Sequence, residues 1–274
     1  MLEVISMKKS LGTILVILLI VSVGENLYFI LENSNLNNEY NKLVNEYNTL
    51  VNENQEFQNE VLFQSEENYT SVTVMYYTNF GMNQQVVTLS ISYAKYDFYH
   101  KKNHPTWSKD NLESAKEYIT PNEPIIDQVV QSVENLTQSE EELANALLNL
   151  VQDKGQGLNI RYYPTTELKY PIETLVEMGG DCDTHSILYG TLMKAAGFDV
   201  LLLYSNEILD DGQYHVATAV HLENPPENSL DNYQDLVLTY NGKNYYYAET
   251  TNAYWRVGEL PPKLENITFQ IMPL

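Results

Sequence analysis

Cysteine is nearly missing from this chain. Among 274 residues only Cys182 carries a thiol. That excludes an intramolecular disulfide and any site built from several thiolates, zinc fingers and iron–sulfur clusters included. Positive charge is also scarce. Fifteen Lys and Arg stand against 37 Asp and Glu, a formal charge of −22, and only Arg161 and Arg256 offer a planar fork for phosphate or carboxylate. Recognition of a phosphate backbone needs clustered cations, so no nucleic-acid partner is expected. What is plentiful is apolar and tyrosine content: 43% hydrophobic residues and 22 Tyr. This is enough for a real core and too much for whole-chain disorder, and the length allows one or two domains.

The first 31 residues read as a membrane-targeting segment. Lys8 and Lys9 precede an uncharged run from Leu11 to Val23. Thirteen helical residues reach about 20 Å, short of a bilayer core of roughly 30 Å, which suits a signal peptide cleaved near Ser22-Val23-Gly24. If Leu27-Tyr28-Phe29-Ile30-Leu31 is counted in, the same segment is long enough for a single-pass anchor. Either way the two lysines stay inside and the remainder is exported. The expected location is the cell membrane with the folded domain outside, or secretion if the segment is removed.

Residues 32–67 follow a seven-residue period. Asn38-Glu39-Tyr40-Asn41-Lys42-Leu43-Val44 is nearly repeated by Asn45-Glu46-Tyr47-Asn48-Thr49-Leu50-Val51. Leu36, Tyr40, Leu43, Tyr47, Leu50, Asn54, Phe57 and Val61 alternate at four and three, the spacing of a coiled-coil seam. As a helix, Leu36 to Gln64 is a stalk about 43 Å long, and it predicts a homo-oligomer. An Asn-rich linker is the other reading, because Asn is a poor helix former.

From Ser71 the period changes to two. Val72-Val74-Tyr76 and Val87-Leu89-Ile91-Tyr93 read as strands around a turn at Gly81 and Asn83, a β-hairpin leader over 68–104. The domain at 105–274 opens with helices over Pro105–Tyr118, Pro124–Leu136 and Ser139–Val151, the last with a capping box of Ser139 and Glu142. Pro171–Met178 and Cys182–Ala196 read as two more helices. Strands follow at Val200–Tyr204, Tyr214–Leu222, Leu236–Tyr240 and Lys243–Thr250, the last two joined by the hairpin signal Asn241-Gly242. Helices followed by antiparallel strands make the fold class α+β.

Gly179-Gly180-Asp181-Cys182-Asp183 is where chemistry concentrates. The glycines end one helix, Asp181 caps the next, and the thiol lies in its first turn. Backbone N–H groups there favour a thiolate and can receive an oxyanion. A thiolate nucleophile needs a base and a group to orient that base. Alternation in Tyr214–Val220 puts His215, Ala217 and Ala219 on one face, where two small residues leave room for the Cys-bearing helix. Glu249 is the acid on the strand after the hairpin, placed to bond the His215 ring. His221 lies about 20 Å farther along its strand, outside such a site. A competing metal site would use Asp181, Cys182, Asp183 and His185, with His185 otherwise a surface residue.

These motifs together resemble the transglutaminase-like superfamily, most closely its exported or membrane-anchored prokaryotic members. The stretches are Tyr170–Leu175, Gly179–Asp183, Gly197–Val200, His215–Ala217 and Tyr247–Thr251, covering roughly 122–258. The resemblance implies a papain-like core behind the N-terminal helix and the stalk. It makes Cys182 the nucleophile, His215 the base and Glu249 the third member, where many relatives carry Asp. Gln152 resembles a Gln that precedes the site in similar sequences and is a candidate oxyanion donor, or else a solvated helix-end residue. Trp255 is a candidate wall of the acyl cleft, or a core aromatic. The expected activity is acyl transfer on protein or cell-envelope peptide amides through a thioester, ending in hydrolysis or cross-linking, with no cofactor. A non-catalytic stalked surface module is the alternative. Asn68, Asn135 and Asn266 begin Asn-x-Thr glycosylation acceptors, which fit an outside location.

Overall fold

The computed structural model describes residues 69–105, 111–155, 157–165, 167–205, 214–227 and 234–274. The segments read as a membrane-targeting sequence (1–31) and a heptad stalk (32–67) lie outside the described residues. Among those described, no helix is long and apolar enough to cross a membrane.

The described chain is α+β, with a helical portion packed on an antiparallel sheet. It begins with the hairpin of β1 (Tyr69–Thr78) and β2 (Asn83–Ser92), antiparallel from Tyr69↔Ser92 to Thr78↔Asn83. Asn79, Phe80 and Gly81 all take positive φ at its tip. Val72, Val74, Tyr76, Val87, Leu89 and Ile91 point to one face and are buried. A two-stranded ribbon is marginal in water, and this one is supported from below because that face belongs to the core shared with the helices. Tyr93, read as the end of a strand, instead opens α1 (Tyr93–His100), where the Ser92 hydroxyl accepts from Lys95 N. Of the helix expected over Pro105–Tyr118, the described part is a 3₁₀ helix at Leu112–Tyr118.

Proline at the first turn starts α2 (Pro124–Glu134), which buries Ile126, Val129, Val130 and Val133. α3 (Glu140–Val151) has three glutamates in its first turn, opposite the helix dipole. Ser139 caps Glu142 N at 3.1 Å. The reciprocal half of the box is not made, because the Glu142 carboxylate accepts from Gln138 N and from Asn79 N at the hairpin tip.

β3 (Arg161–Tyr162) and β4 (Gly179–Gly180) form a short parallel pair on either side of α4 (Pro171–Glu177). The glycines therefore do not terminate α4. Met178 does so, at φ 53°, and the glycines run extended. Their missing side chains matter here. A Cβ on Gly180 would stand 2.4 Å from Thr184 Cγ2, and one on Gly179 would stand 2.5 Å from Arg161 O.

α5 (Cys182–Ala195) is buried from Thr184 to Met193 and is the central helix. Next come β5 (Val200–Ser205), β6 (Val216–His221), the short β7 (Gln234–Asp235), β8 (Val237–Tyr240), β9 (Lys243–Ala248), the short β10 (Glu259–Leu260) and β11 (Phe269–Pro273). Five of them form one antiparallel sheet in the order β11-β5-β6-β9-β8. Asn241 (φ 48°) and Gly242 (φ 77°) form the tight turn between β8 and β9. The edge strand β11 pairs Phe269–Pro273 with Ser205–Leu201.

Both faces of this sheet are covered. Val200, Leu202, Val216, Val220, Tyr246 and Ala248 join the helical core. Leu201, Leu203, Ala217, Ala219, Tyr245 and Tyr247 pack with Leu260 and Leu264 on the other side. This reverses one expectation: the helix lies on the Val216 and Val220 face, and Ala217 and Ala219 receive the chain after β10. On that face the small residues cluster with Leu260 of β10 and Leu264 of the 3₁₀ turn after it, where a helix was expected.

Candidate functional site

Cys182 is the first residue of α5. Asp181 caps that helix, its carboxylate accepting from Thr184 N at 3.3 Å and from the Thr165 hydroxyl at 2.7 Å. One helical turn past Cys182, Ser186 donates to Val216 O at 3.2 Å and shares a 2.9 Å hydrogen bond with the Thr250 hydroxyl. Residues four apart share a helix face, so the same contact that fixes Ser186 brings Cys182 to the ends of β6 and β9. There the Cys182 sulfur meets the Val216 backbone N–H.

His215 immediately precedes β6. Its backbone is clamped to Ser205, whose N–H donates to His215 O and whose hydroxyl oxygen accepts from His215 N. The ring is 4% exposed and its Nε2 lies 2.9 Å from Glu249 Oε2. Glu249 is fully buried and accepts from three further donors. Tyr247 OH is 3.0 Å from Oε2, and Thr251 contributes its N–H at 3.0 Å and its hydroxyl to Oε1. A neutral ring that gives its Nε2 proton to a carboxylate carries its lone pair on Nδ1. His215 is therefore oriented to take a proton at Nδ1.

Burial by itself raises the Glu249 carboxyl, but the charge of His215 when protonated and the hydrogen bonds from His215 and Thr251 outweigh it and lower the pKa to about 2. The thiol behaves in the opposite way to the sequence expectation. Burial raises its pKa, the carboxylates of Asp183, Asp181 and Glu249 raise it further, and only the Val216 N–H pulls it down. First-turn amides favour a thiolate, yet burial, with the three acids added to it, overcomes them. Cys182 is held as a neutral, half-buried thiol. No thiol–imidazole hydrogen bond is among the contacts of the described residues; the thiol comes from the helical side of the sheet, while the His215–Glu249 pair lies with Tyr247.

Gln152 is neither solvated nor free to serve an oxyanion. It is fully buried, and its Nε2 donates to Glu249 O at 2.8 Å and to Trp255 O at 2.9 Å. The amide thus ties the strand that carries Glu249 to the loop that carries Trp255, itself half-buried. Its Oε1 is buried with no hydrogen-bond partner. His185 is not a surface residue either. It is fully buried, with its two ring nitrogens 3.2 Å from Thr250 O and from Arg161 O. A neutral ring donates from one nitrogen only, so one of these contacts is its N–H···O hydrogen bond; among the described residues His185 does not group with Cys182 as metal ligands. His221 bonds the Asn244 carbonyl at 2.8 Å, away from Glu249.

Sequence reasoning missed Tyr247 and Thr251. Both stand two residues from Glu249, and at that spacing on a strand side chains share a face; that periodicity was the available signal for Tyr247. Ser205 and Thr250 left no signal, since their roles depend on pairing between strands distant in sequence. Comparison with protein-family models, with curated proteins and with solved structures finds no match. The likeness to transglutaminase-like proteins therefore stands on the quoted residues alone.

Proposed function

We propose that this chain is a transglutaminase-like cysteine acyltransferase with a papain-like core, working on protein or envelope-peptide amides outside the cell. Residues 1–31 anchor or export it, and the 32–67 stalk assembles it into oligomers. The observation that carries the reading is the buried His215–Glu249 pair at the sheet end where the Cys182 sulfur meets the Val216 amide.

The chemistry follows from the protonation states. Because the thiol is neutral, its proton passes to His215 Nδ1 as sulfur attacks the amide carbon. Glu249 stabilises the imidazolium through Nε2. The first-turn amides of α5 receive the developing oxyanion. Collapse breaks the C–N bond, Nδ1 returns the proton to the leaving amine, and a thioester remains on Cys182. Water or a second amine then takes the acyl group and regenerates the thiol. Gln152 acts as a positioning residue, holding the backbone of Glu249.

The test is amide turnover by the full chain, read as amine release and as amine incorporation into envelope proteins. Activity is expected to vanish with Cys182→Ala and with full alkylation of Cys182 by iodoacetamide. A fully alkylated protein that still turns over would falsify the nucleophile assignment.

One feature favours the second reading, a stalked binding module. A thiol surrounded by carboxylates and without a bond to the imidazole resembles an unused site. A binder would hold the same envelope component equally well as wild type or as Cys182→Ala, and would release no amine.

A further inference from the structure

Two pairs of metal-ligating residues, each four apart in sequence, face one another outside the Cys182 site. His100 closes α1 and His104 follows four residues on, while Glu173 and Glu177 lie four apart on α4. His100 Nδ1 is 3.1 Å from Glu173 Oε1 and 3.8 Å from Glu177 Oε1. The ligating atoms of these three residues all lie within 4.8 Å of one another. His104 Nε2 is 2.9 Å from the second Glu173 oxygen, which also accepts from Tyr170 N. Tyr96 OH sits 2.7 Å from Glu177 Oε1 and 3.5 Å from His100 Nδ1.

We propose that His100, Glu173 and Glu177 bind a zinc ion, with Tyr96 at the fourth position and His104 holding Glu173 in orientation.

Three physical arguments carry this. The first is spacing. Tetrahedral zinc with nitrogen and oxygen ligands at about 2.0–2.2 Å places those ligands roughly 3.3–3.5 Å apart, and the observed 3.1 and 3.8 Å bracket that range. Closure requires Glu177, half-buried in the last turn of α4, to turn its Oε1 closer to His100 while Lys169 keeps its other oxygen.

The second is charge. Glu173 is 2% exposed, and among the described residues its ion-pair partners are the two imidazoles, which are not permanent cations. Glu177 has Lys169 on its other oxygen at 2.7 Å, leaving Oε1 turned to His100 and Tyr96. The Glu173 carboxylate has no permanent cation beside it among the described residues, and Glu177 adds a second carboxylate whose charge Lys169 offsets in part.

The third is ligand chemistry. One imidazole and two carboxylates suit zinc; calcium takes six to eight oxygens and magnesium a near-octahedral oxygen shell. The oriented carboxylate, held from behind by His104 and the Tyr170 amide, is the kind of outer support that metal ligands need. The ion would clamp α1 to α4 just before Met178 and the glycines that lead to Cys182. The site stands whether or not Cys182 is a nucleophile.

The test uses the full, untagged chain in detergent, stripped with chelator, dialysed against Zn²⁺ and assayed for bound metal by mass spectrometry. One zinc per chain is expected, with a higher melting temperature. Cys182→Ser should bind equally. His100→Ala and Glu177→Gln should each weaken binding about tenfold or more and abolish the melting shift. Both positions are more exposed than Glu173, so these variants keep their helices, which circular dichroism verifies. Cobalt substitution should give tetrahedral d–d bands without thiolate-to-cobalt charge transfer. The proposal is overturned by sub-stoichiometric zinc, or by zinc that survives both substitutions and is lost with Cys182→Ser.

Discussion

Glu249→Gln is the substitution whose outcome the structure determines most directly. The carboxylate is buried and accepts from His215, Tyr247 and Thr251. Its pKa is lowered from an ordinary 4.5 to about 2. At 1.36 kcal/mol per tenfold change in proton affinity, that difference is worth about 3 kcal/mol. The sign follows from the direction: a depressed carboxylate contributes its stability in full above pH 4.5 and loses it as pH falls through about 2. Glutamine keeps the shape but removes the charge, and its amide NH₂ must replace an acceptor facing His215 or Tyr247. Leaving the buried donors around a lost carboxylate unsatisfied costs about 1–3 kcal/mol for each, so at pH 7 the variant should be less stable by about 3 kcal/mol. Urea titrations from pH 7 to pH 2 measure this, followed by tryptophan fluorescence; Trp255 is tied to the Glu249 backbone through Gln152 and reports locally. Asp153, Glu177, Asp181 and Asp199 also have lowered pKa values, so each curve slopes on its own account. The quantity that counts is the difference between wild type and variant, which should shrink as pH drops below 4.5. Two parallel curves across this window would refute the reasoning.

Three other outcomes are expected. Gln152→Ala leaves the carbonyls of Glu249 and Trp255 without their donor, at about 1–3 kcal/mol for each buried group; a melting temperature equal to wild type would contradict the described clamp. Gly180→Ala forces a Cβ against Thr184, with overpacking costs of about 1–3 kcal/mol and a displaced Cys182; unchanged stability together with an unchanged Cys182 alkylation rate would show that the first turn of α5 yields freely. Removing residues 33–64 should convert an oligomer into a monomer by light scattering, and a monomer mass for both proteins would remove the stalk.

Much of the fold was legible because local rules agreed with one another. The proline starts of α2 and α4, the Ser139 cap, the Asn241-Gly242 turn and the period-two strands, Tyr93 apart, appear where their residues put them. His215 and Glu249 stand together because β9, which precedes Glu249, pairs with β6, which follows His215. What failed to show depends on direction and burial. Asp181 and Asp183 flank Cys182 in plain view, but whether they or the helix amides dominate the sulfur depends on where the side chains turn. Alanines at 217 and 219 announce a close approach without saying by what. Gln152 looks like an ordinary helix-end polar residue until the loop around Trp255 closes over it. β11 lacked a signal because its five residues become a strand only beside β5.

That last strand has a consequence for how the molecule acquires its shape. β5 is hydrogen-bonded on one side to β6 and on the other to residues 269–273, more than sixty positions downstream by residue number. During synthesis the outer margin of β5, with Leu201 and Leu203 beside it, waits for nearly the whole domain to emerge. High sequence separation of this sort slows folding and lengthens exposure of a sticky margin, so a nascent chain of this protein should depend on holding factors until its final strand arrives.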